Sequence, residues 1–109
     1  MTIDRPGKLY ELKAEILQAA ANPLRLEILD ILAGGEKCVC ELAALTGAKR
    51  SNVSRHLAVM YKAGLLDHRK EGLRAYYSLA TPCILGFLDC ATDALKERLR
   101  TSTKLLDEL

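Results

Sequence analysis

Cys38-Val39-Cys40 is the segment of this sequence with the most specific chemistry. Two thiols separated by one residue are a pair of soft sulfur donors, suited to As(III), Sb(III), Cd(II), Pb(II) or Zn(II). In a regular α-helix, residues i and i+2 lie about 200° apart around the axis and do not converge. A Zn–S bond of about 2.3 Å needs sulfurs within roughly 4 Å of each other. If a helix covers this pair, ligation demands that its first turn loosen or rotate. The alternative is that both cysteines are small buried hydrophobes.

Cys83 and Cys90 are the other two of the four cysteines. Seven residues apart, they share a helical face but are separated along it by about 10 Å at 1.5 Å per residue. Within one regular helix they do not share an ion. Each either packs in the core, completes a site begun by Cys38 and Cys40, or meets its symmetry mate in a dimer. Cys83, beside Pro82 at a helix start, is the better sensor of the two, because that location favours a thiolate. A disulfide framework is not expected, since nothing marks an oxidising compartment and Met1–Pro6 lacks the apolar stretch of a secretory signal. Reduced thiols in a cytoplasm are the expectation.

The elements that must hold these thiols are mostly helical. The chain has 109 residues, 50% hydrophobic and 28% charged, which predicts a single globular domain over 1–109 and excludes a disordered chain. No run approaches the roughly 18 apolar residues of a membrane span. With no Trp and one Phe, the apolar content rests on Leu, Ile, Val and Ala, which suits helices packed on helices. A core this small makes oligomerisation expected.

Leu9, Leu12, Ile16, Leu17 and Ala20 recur at helical spacing. Asn22-Pro23 restarts the chain as a cap and a first helical residue, and Leu24, Ile28, Ile31 and Leu32 continue to Gly34-Gly35. A short helix over about Cys38–Leu45 ends at Thr46-Gly47. The next, about Ser51–Ala63, carries Val53, Leu57, Met60 and Tyr61 on one side and stops at Gly64. Leu66–Arg69 and Leu73–Leu79 read as two strands turning at Lys70-Glu71-Gly72. From Pro82 a long amphipathic helix turns Ile84, Leu85, Leu88, Ala91, Leu95 and Leu99 inward. It either completes the monomer's core or pairs with its twin.

Charge is uneven over this frame. Lys49–Arg74 holds seven basic and two acidic residues, +5, while the remainder of the chain is −3. A basic quarter in an acidic frame predicts a polyanion-binding surface. Two short helices joined by a tight turn and followed by a basic hairpin describe a winged helix-turn-helix: mainly α with a small β-hairpin, dimeric through its terminal helices. The helix at Ser51 fits a major groove, and Arg69, Lys70 and Arg74 on the hairpin are placed to hold phosphates.

Asn22-Pro-Leu-Arg-Leu-Glu-Ile-Leu, Cys38-Val-Cys-Glu-Leu, Asn52-Val-Ser-Arg-His-Leu, Ala63-Gly-Leu-Leu and Glu71-Gly-Leu-Arg-Ala-Tyr-Tyr-Ser-Leu, in this order and spacing, resemble the ArsR/SmtB family of metal-responsive repressors. The resemblance covers about Ala20–Leu79. It implies a homodimer that binds double-stranded operator DNA as apo-protein and leaves it when an ion binds. By the family pattern the DNA-facing residues are Lys49, Arg50, Ser51, Asn52, Ser54, Arg55 and His56. Arg50 is placed to pair bidentately with guanine and Asn52 to read adenine, while Ser51, Ser54 and Arg55 suit phosphates. The family usually carries Ser-Gln where this chain has Lys49-Arg50, which adds charge and predicts strong salt dependence. For His56, where the family also has histidine, a structural or phosphate hydrogen bond is expected; His68 is expected to be exposed. Of Tyr76 and Tyr77, one belongs to the core and the other lies near the sugar–phosphate chain.

Some arsenic-sensing relatives carry a further cysteine three residues after the second of the pair, where this chain has Ala43. The long last helix offers Asp89, Cys90 and Asp93 but lacks the Asp/His pattern of the zinc-sensing branch, and the N-terminal segment has no cysteine for a cadmium/lead arrangement. Arsenite or antimonite is thus the favoured inducer. Cys83, Cys90, a small thiol or hydroxide is left to fill the third position. Two other classes compete: a thiol-redox or sulfide sensor on the same scaffold, and a metal-handling protein without a DNA role. The last gives the basic segment no purpose. No nucleophile–base arrangement, Gly-rich phosphate loop or carboxylate pair marks an enzyme.

Overall fold

The computed structural model describes residues 6–109. The opening Met1–Arg5, read above for the absence of a secretory stretch and of cysteine, lies outside the described residues.

Helix α1 spans Pro6–Ala20 and α2 spans Pro23–Leu32. Asn22 separates them as expected: its Oδ1 accepts from the N–H groups of Leu24 (2.9 Å) and Arg25 (3.2 Å). Pro23 stands where a helix needs no N–H. Helices α3 (Val39–Thr46) and α4 (Arg50–Lys62) form the helix-turn-helix. Gly47 closes α3 at φ 75°, a left-handed conformation that side chains resist. Thr46 Oγ1 donates to Leu42 O (2.7 Å) and accepts from Ala48 N–H (3.3 Å), fixing the angle of the turn.

The sheet has three antiparallel strands, β1 (Lys37–Cys38), β2 (Leu66–Glu71) and β3 (Arg74–Leu79), in the order β1-β3-β2. The expected two-stranded hairpin thus acquires a third member, with Lys37 opposite Tyr77 and Cys38 opposite Tyr76. Two residues are too few to show strand alternation in a sequence. The turn also moves: β2 continues through Glu71, and the connection is Gly72-Leu73 rather than Lys70-Glu71-Gly72. Gly72 takes φ 63° at the first of two turn positions, as a hairpin of type II′ requires. Leu73, expected in the strand, is fully exposed at the tip.

Ile28, Leu29, Leu42, Val53, Leu57, Met60, Leu65 and Leu66 are fully buried and join α2, α3, α4 and the sheet in one core. Leu65 N–H donates to Met60 O (3.0 Å), and Ala80 N–H to Leu65 O (2.9 Å), so the end of α4 and the end of the hairpin are tied together.

Helix α5 spans Ile84–Asp107, with Pro82 and Cys83 in the turn before it. Ile84, Leu85 and Leu88 pack on the core, but Ala91, Leu95 and Leu99, expected to face inward, are exposed. A 24-residue helix is about 36 Å long and outruns the body it starts on. The radius of gyration is 17.3 Å, against about 13 Å for a compact chain of this length. Leu9, Ile16 and Leu17 of α1 are exposed as well. Both terminal helices therefore present apolar faces that the described residues of the single chain leave uncovered. A purely apolar cavity of about 290 Å³, lined by Leu17, Ala20, Leu26, Ile84, Phe87 and Leu88 among others, opens between α1, α2 and α5.

Candidate functional site

The cysteine pair straddles a junction. Cys38 is the last residue of β1 and the N-cap of α3, with extended backbone (φ −86°, ψ 167°), and it is buried. Cys40 lies in the first turn of α3 and is half-buried. This corrects the expectation that both thiols sit in one regular helix: the strand ends on Cys38 and the helix starts after it. Glu41 holds the junction, its Oε1 accepting from Cys38 N–H at 3.0 Å. A carboxylate three residues past an N-cap satisfies a backbone donor that the helix cannot. This bond and the Cys38 side chain hold the Glu41 carboxyl below the usual carboxylate range.

A cleft of about 350 Å³ adjoins this junction. One wall is Cys38, Val39 and Cys40; the others are Arg50, Ser51 and Ser54 of α4 and Leu73, Arg74 and Ala75 at the wing tip. Arg50, the first residue of α4, donates from Nη2 to Cys40 Sγ. Arg74 is held in its charged form, first by hydrogen bonding to Tyr76 and then by Cys38 and Cys40. Cys83 and Cys90 are both exposed, so neither belongs to the chain's own core. Among the described residues, no three Cys, His, Asp or Glu side chains gather as a metal site.

Helix α4 buries Val53, Leu57 and Met60 and exposes Lys49 at its cap, then Arg50, Ser51, Asn52, Ser54 and Arg55. Arg55 Nη2 donates to Asn52 Oδ1 (3.3 Å). Tyr61, expected on the buried side, is 44% exposed. It tilts against the exposed His68 (ring centroids 4.2 Å apart), which in turn meets Tyr77 (5.6 Å). Position i+8 has drifted off the face that i, i+4 and i+7 define, and the hairpin supplies a ring to cover it. Tyr77 packs on the core, while Tyr76 lies under the Arg69 guanidinium at 4.8 Å.

His56 has a structural bond. Its Nδ1 accepts from Arg25 Nε at 3.0 Å, while Arg25 Nη1 donates to Ala19 O at 3.3 Å, so one arginine joins α1, α2 and α4. An accepting Nδ1 assigns the ring proton to Nε2. Burial, then the charges of Arg25 and Arg55, lower the His56 pKa below its ordinary 6.5. The unfolded chain then binds more protons than the folded one just below pH 6.5, so stability falls as pH drops through that range. His56→Gln, which keeps an acceptor but no titrating ring, is expected to flatten this slope. Urea melts at pH 7.5 and 5.5 measure it.

On the wing, Arg69 is already engaged. Its Nε donates to the Glu36 carboxylate (3.1 and 3.2 Å) and its Nη1 to Glu71 (3.2 Å). The first of these bonds leads the causes that hold Arg69 protonated, and Arg69 in turn lowers the Glu36 carboxyl. Lys70 and Arg74 are exposed and make no salt bridge among the described residues. Lys70→Gln and Arg74→Gln are each expected to lower the salt slope of duplex binding by about one unit. Arg69→Gln should change it by less than half of that, because its charge is already spent on carboxylates. Fluorescence anisotropy across a series of KCl concentrations reads all three. Glu36 and Arg25 were not singled out from the sequence, since their partners lie 33 and 31 residues away.

Residues 22–68 match the family model described as bacterial regulatory protein, arsR family. The HTH-type transcriptional regulator Rv0081 of Mycobacterium tuberculosis is 35% identical over 102 residues, covering 93% of this chain and 90% of that protein. Its crystal structure aligns with a TM-score of 0.76 over 92% of this chain and 99% of that one. The homodimeric winged helix-turn-helix DNA-binding domain of Mb0332 from Mycobacterium bovis is 33% identical, with a TM-score of 0.76 over 91% of this chain and 92% of that one. The AntR antimony-specific transcriptional repressor is 27% identical, with a TM-score of 0.73 over 92% of this chain and 90% of that one. Among the described residues, no helix is long and apolar enough to cross a membrane.

Proposed function

The chain belongs to the arsR family of bacterial regulatory proteins, winged helix-turn-helix transcriptional regulators and not enzymes, and from that premise we propose that it is a metalloid-responsive repressor. In this reading it acts in the cytoplasm as a homodimer on operator DNA and is released when As(III) or Sb(III) binds Cys38 and Cys40. One observation carries the proposal: the thiol pair, the first turns of α4 and the wing tip line the same cleft.

Helix α4 enters the major groove. Arg50 and Asn52 read base edges, while Lys49, Ser51, Ser54 and Arg55 hold the backbone on either side. Lys70 and Arg74 on the wing take further phosphates. His56 and Arg69 act from behind, the first seating α4 on α2 and the second pinning the wing to Glu36.

The donor set suits a thiophile satisfied by two protein sulfurs and an exogenous third ligand. It does not suit zinc, whose structural sites take four protein ligands. Cys83 and Cys90, exposed on the α5 segment, are candidates for a third sulfur only through the second subunit. Drawing the sulfurs of Cys38 and Cys40 to one ion pulls on the β1–α3 junction, and so on both the helix-turn-helix and the sheet that carries the wing.

Competition of arsenite, antimonite, Cd(II), Pb(II) and Zn(II) against a fluorescent operator duplex, with reductant present, tests the reading. Release by the trivalent metalloids at the lowest concentrations is the expected result. Release by zinc alone, or only after the reductant is removed, overturns it.

A further inference from the structure

We propose that Cys40 is a positioning residue for base recognition: its sulfur orients the Arg50 guanidinium that reads the operator. The inference rests on the DNA-binding reading above but not on any ion. Arg50 is the first residue of α4, exposed, at the end of a long flexible side chain. A guanidinium left free in solvent loses rotamer freedom when it docks on a base, and that loss weakens the contact. Here the side chain is already tethered, because Nη2 donates to Cys40 Sγ across the α3–α4 turn. A guanidinium has five N–H donors, so a single bond to sulfur leaves enough for a bidentate pair with guanine O6 and N7. Cys40 itself is fixed from below, since its helix is capped by Glu41 on Cys38 N–H and terminated by Gly47. The turn between the two helices is held by Thr46, whose hydroxyl donates back to Leu42 O in α3 and accepts from Ala48 N–H within the turn.

The contact also supplies a short route from ion occupancy to DNA. A thiophile shared by Cys38 and Cys40 draws the Cys40 sulfur toward Cys38 and out of line with the Arg50 N–H, so the arm that reads bases loses its tether. No movement of the recognition helix is needed for that part of the response. Arg50 stands where the family pattern usually carries glutamine, which makes this coupling a property of this chain's own residues.

The test uses the full chain without metal, under reductant, on duplexes selected from a random-sequence pool by the wild-type protein. Wild type, Cys40→Ala, Cys40→Ser, Arg50→Gln and the Cys40→Ala/Arg50→Gln pair are compared for base discrimination at each position. Cys40→Ala is expected to lose about 5–10-fold in discrimination at one guanine per half-site and to leave the other positions alone. Cys40→Ser keeps an acceptor and should retain most of that discrimination. Arg50→Gln loses it outright, and adding Cys40→Ala then changes nothing further. Wild-type discrimination in Cys40→Ala, or an effect that adds to that of Arg50→Gln, overturns the proposal. If wild type selects no duplex, the DNA-binding reading falls with it; if it selects one and Cys40→Ala reads it equally well, only this inference falls.

Discussion

Replacing Leu95 and Leu99 by glutamate is expected to turn the dimer into monomers and to weaken operator binding by about 10²–10⁴-fold. Both residues sit on the exposed part of α5, 44% and 56% accessible in the single chain. With Leu88 and Leu106 they form a seam at steps of seven, four and seven residues, the repeat that keeps one helix edge against another. A carboxylate at each of two neighbouring positions in a self-complementary interface brings like charges together across the symmetry axis. Little of the core depends on these side chains, because only Ile84, Leu85 and Leu88 of this helix pack against it. The large effect on DNA then comes from losing the second half-site, not from unfolding. Sedimentation velocity gives the oligomeric state and circular dichroism the fold. A variant that stays dimeric, or a folded monomer that binds as tightly as the parent, contradicts the expectation.

The second large effect concerns release. Arsenite is expected to weaken the wild-type DNA complex by about 5–150-fold, a coupling of about 1–3 kcal/mol, and to leave a Cys38→Ser/Cys40→Ser variant on the duplex. Linkage fixes a companion result: saturating operator must lower wild-type affinity for arsenite by the same factor. Each single variant, left with one sulfur in the cleft, should respond at much higher metalloid concentrations. Anisotropy of a labelled duplex follows release, and thiolate–arsenic absorption follows occupancy. Normal release from the doubly substituted protein would remove these thiols from the mechanism and turn attention to Cys83 and Cys90.

Local chemistry was the legible part of this sequence. Asn22 acts through its own short side chain and Pro23 and Gly47 through their own backbones, all on neighbouring residues, so their roles need no knowledge of the rest of the fold. The apolar spacing of Val53, Leu57 and Met60 located the face of α4 that is buried. Features set by distant partners were not legible. Nothing in Lys37-Cys38 reveals that β3 lies alongside, so the sequence predicts a helix from Cys38 where the structure has a strand end. The tie between Arg50 and Cys40, like that between Arg69 and Glu36, exists only after the helix-turn-helix and the wing have assembled. The outward side of α5 could not be told from an inward one, since periodicity marks an apolar stripe without saying which molecule covers it. At the functional site the residue types were visible, but not the shared cleft that brings thiols, recognition helix and wing together.

The brevity of β1 has a mechanical consequence. Two residues give only two rungs of pairing with β3, against six between β2 and β3. Such a strip detaches at a small fraction of the free energy that opening the whole hairpin would take. The amide of Lys37 should accordingly exchange with deuterium well ahead of those in the middle of the hairpin, whereas that of Cys38 is held separately by the Glu41 carboxylate. The end of the molecule that carries the cysteine pair is fastened by a release catch: it can let go of the wing while the wing keeps its own shape.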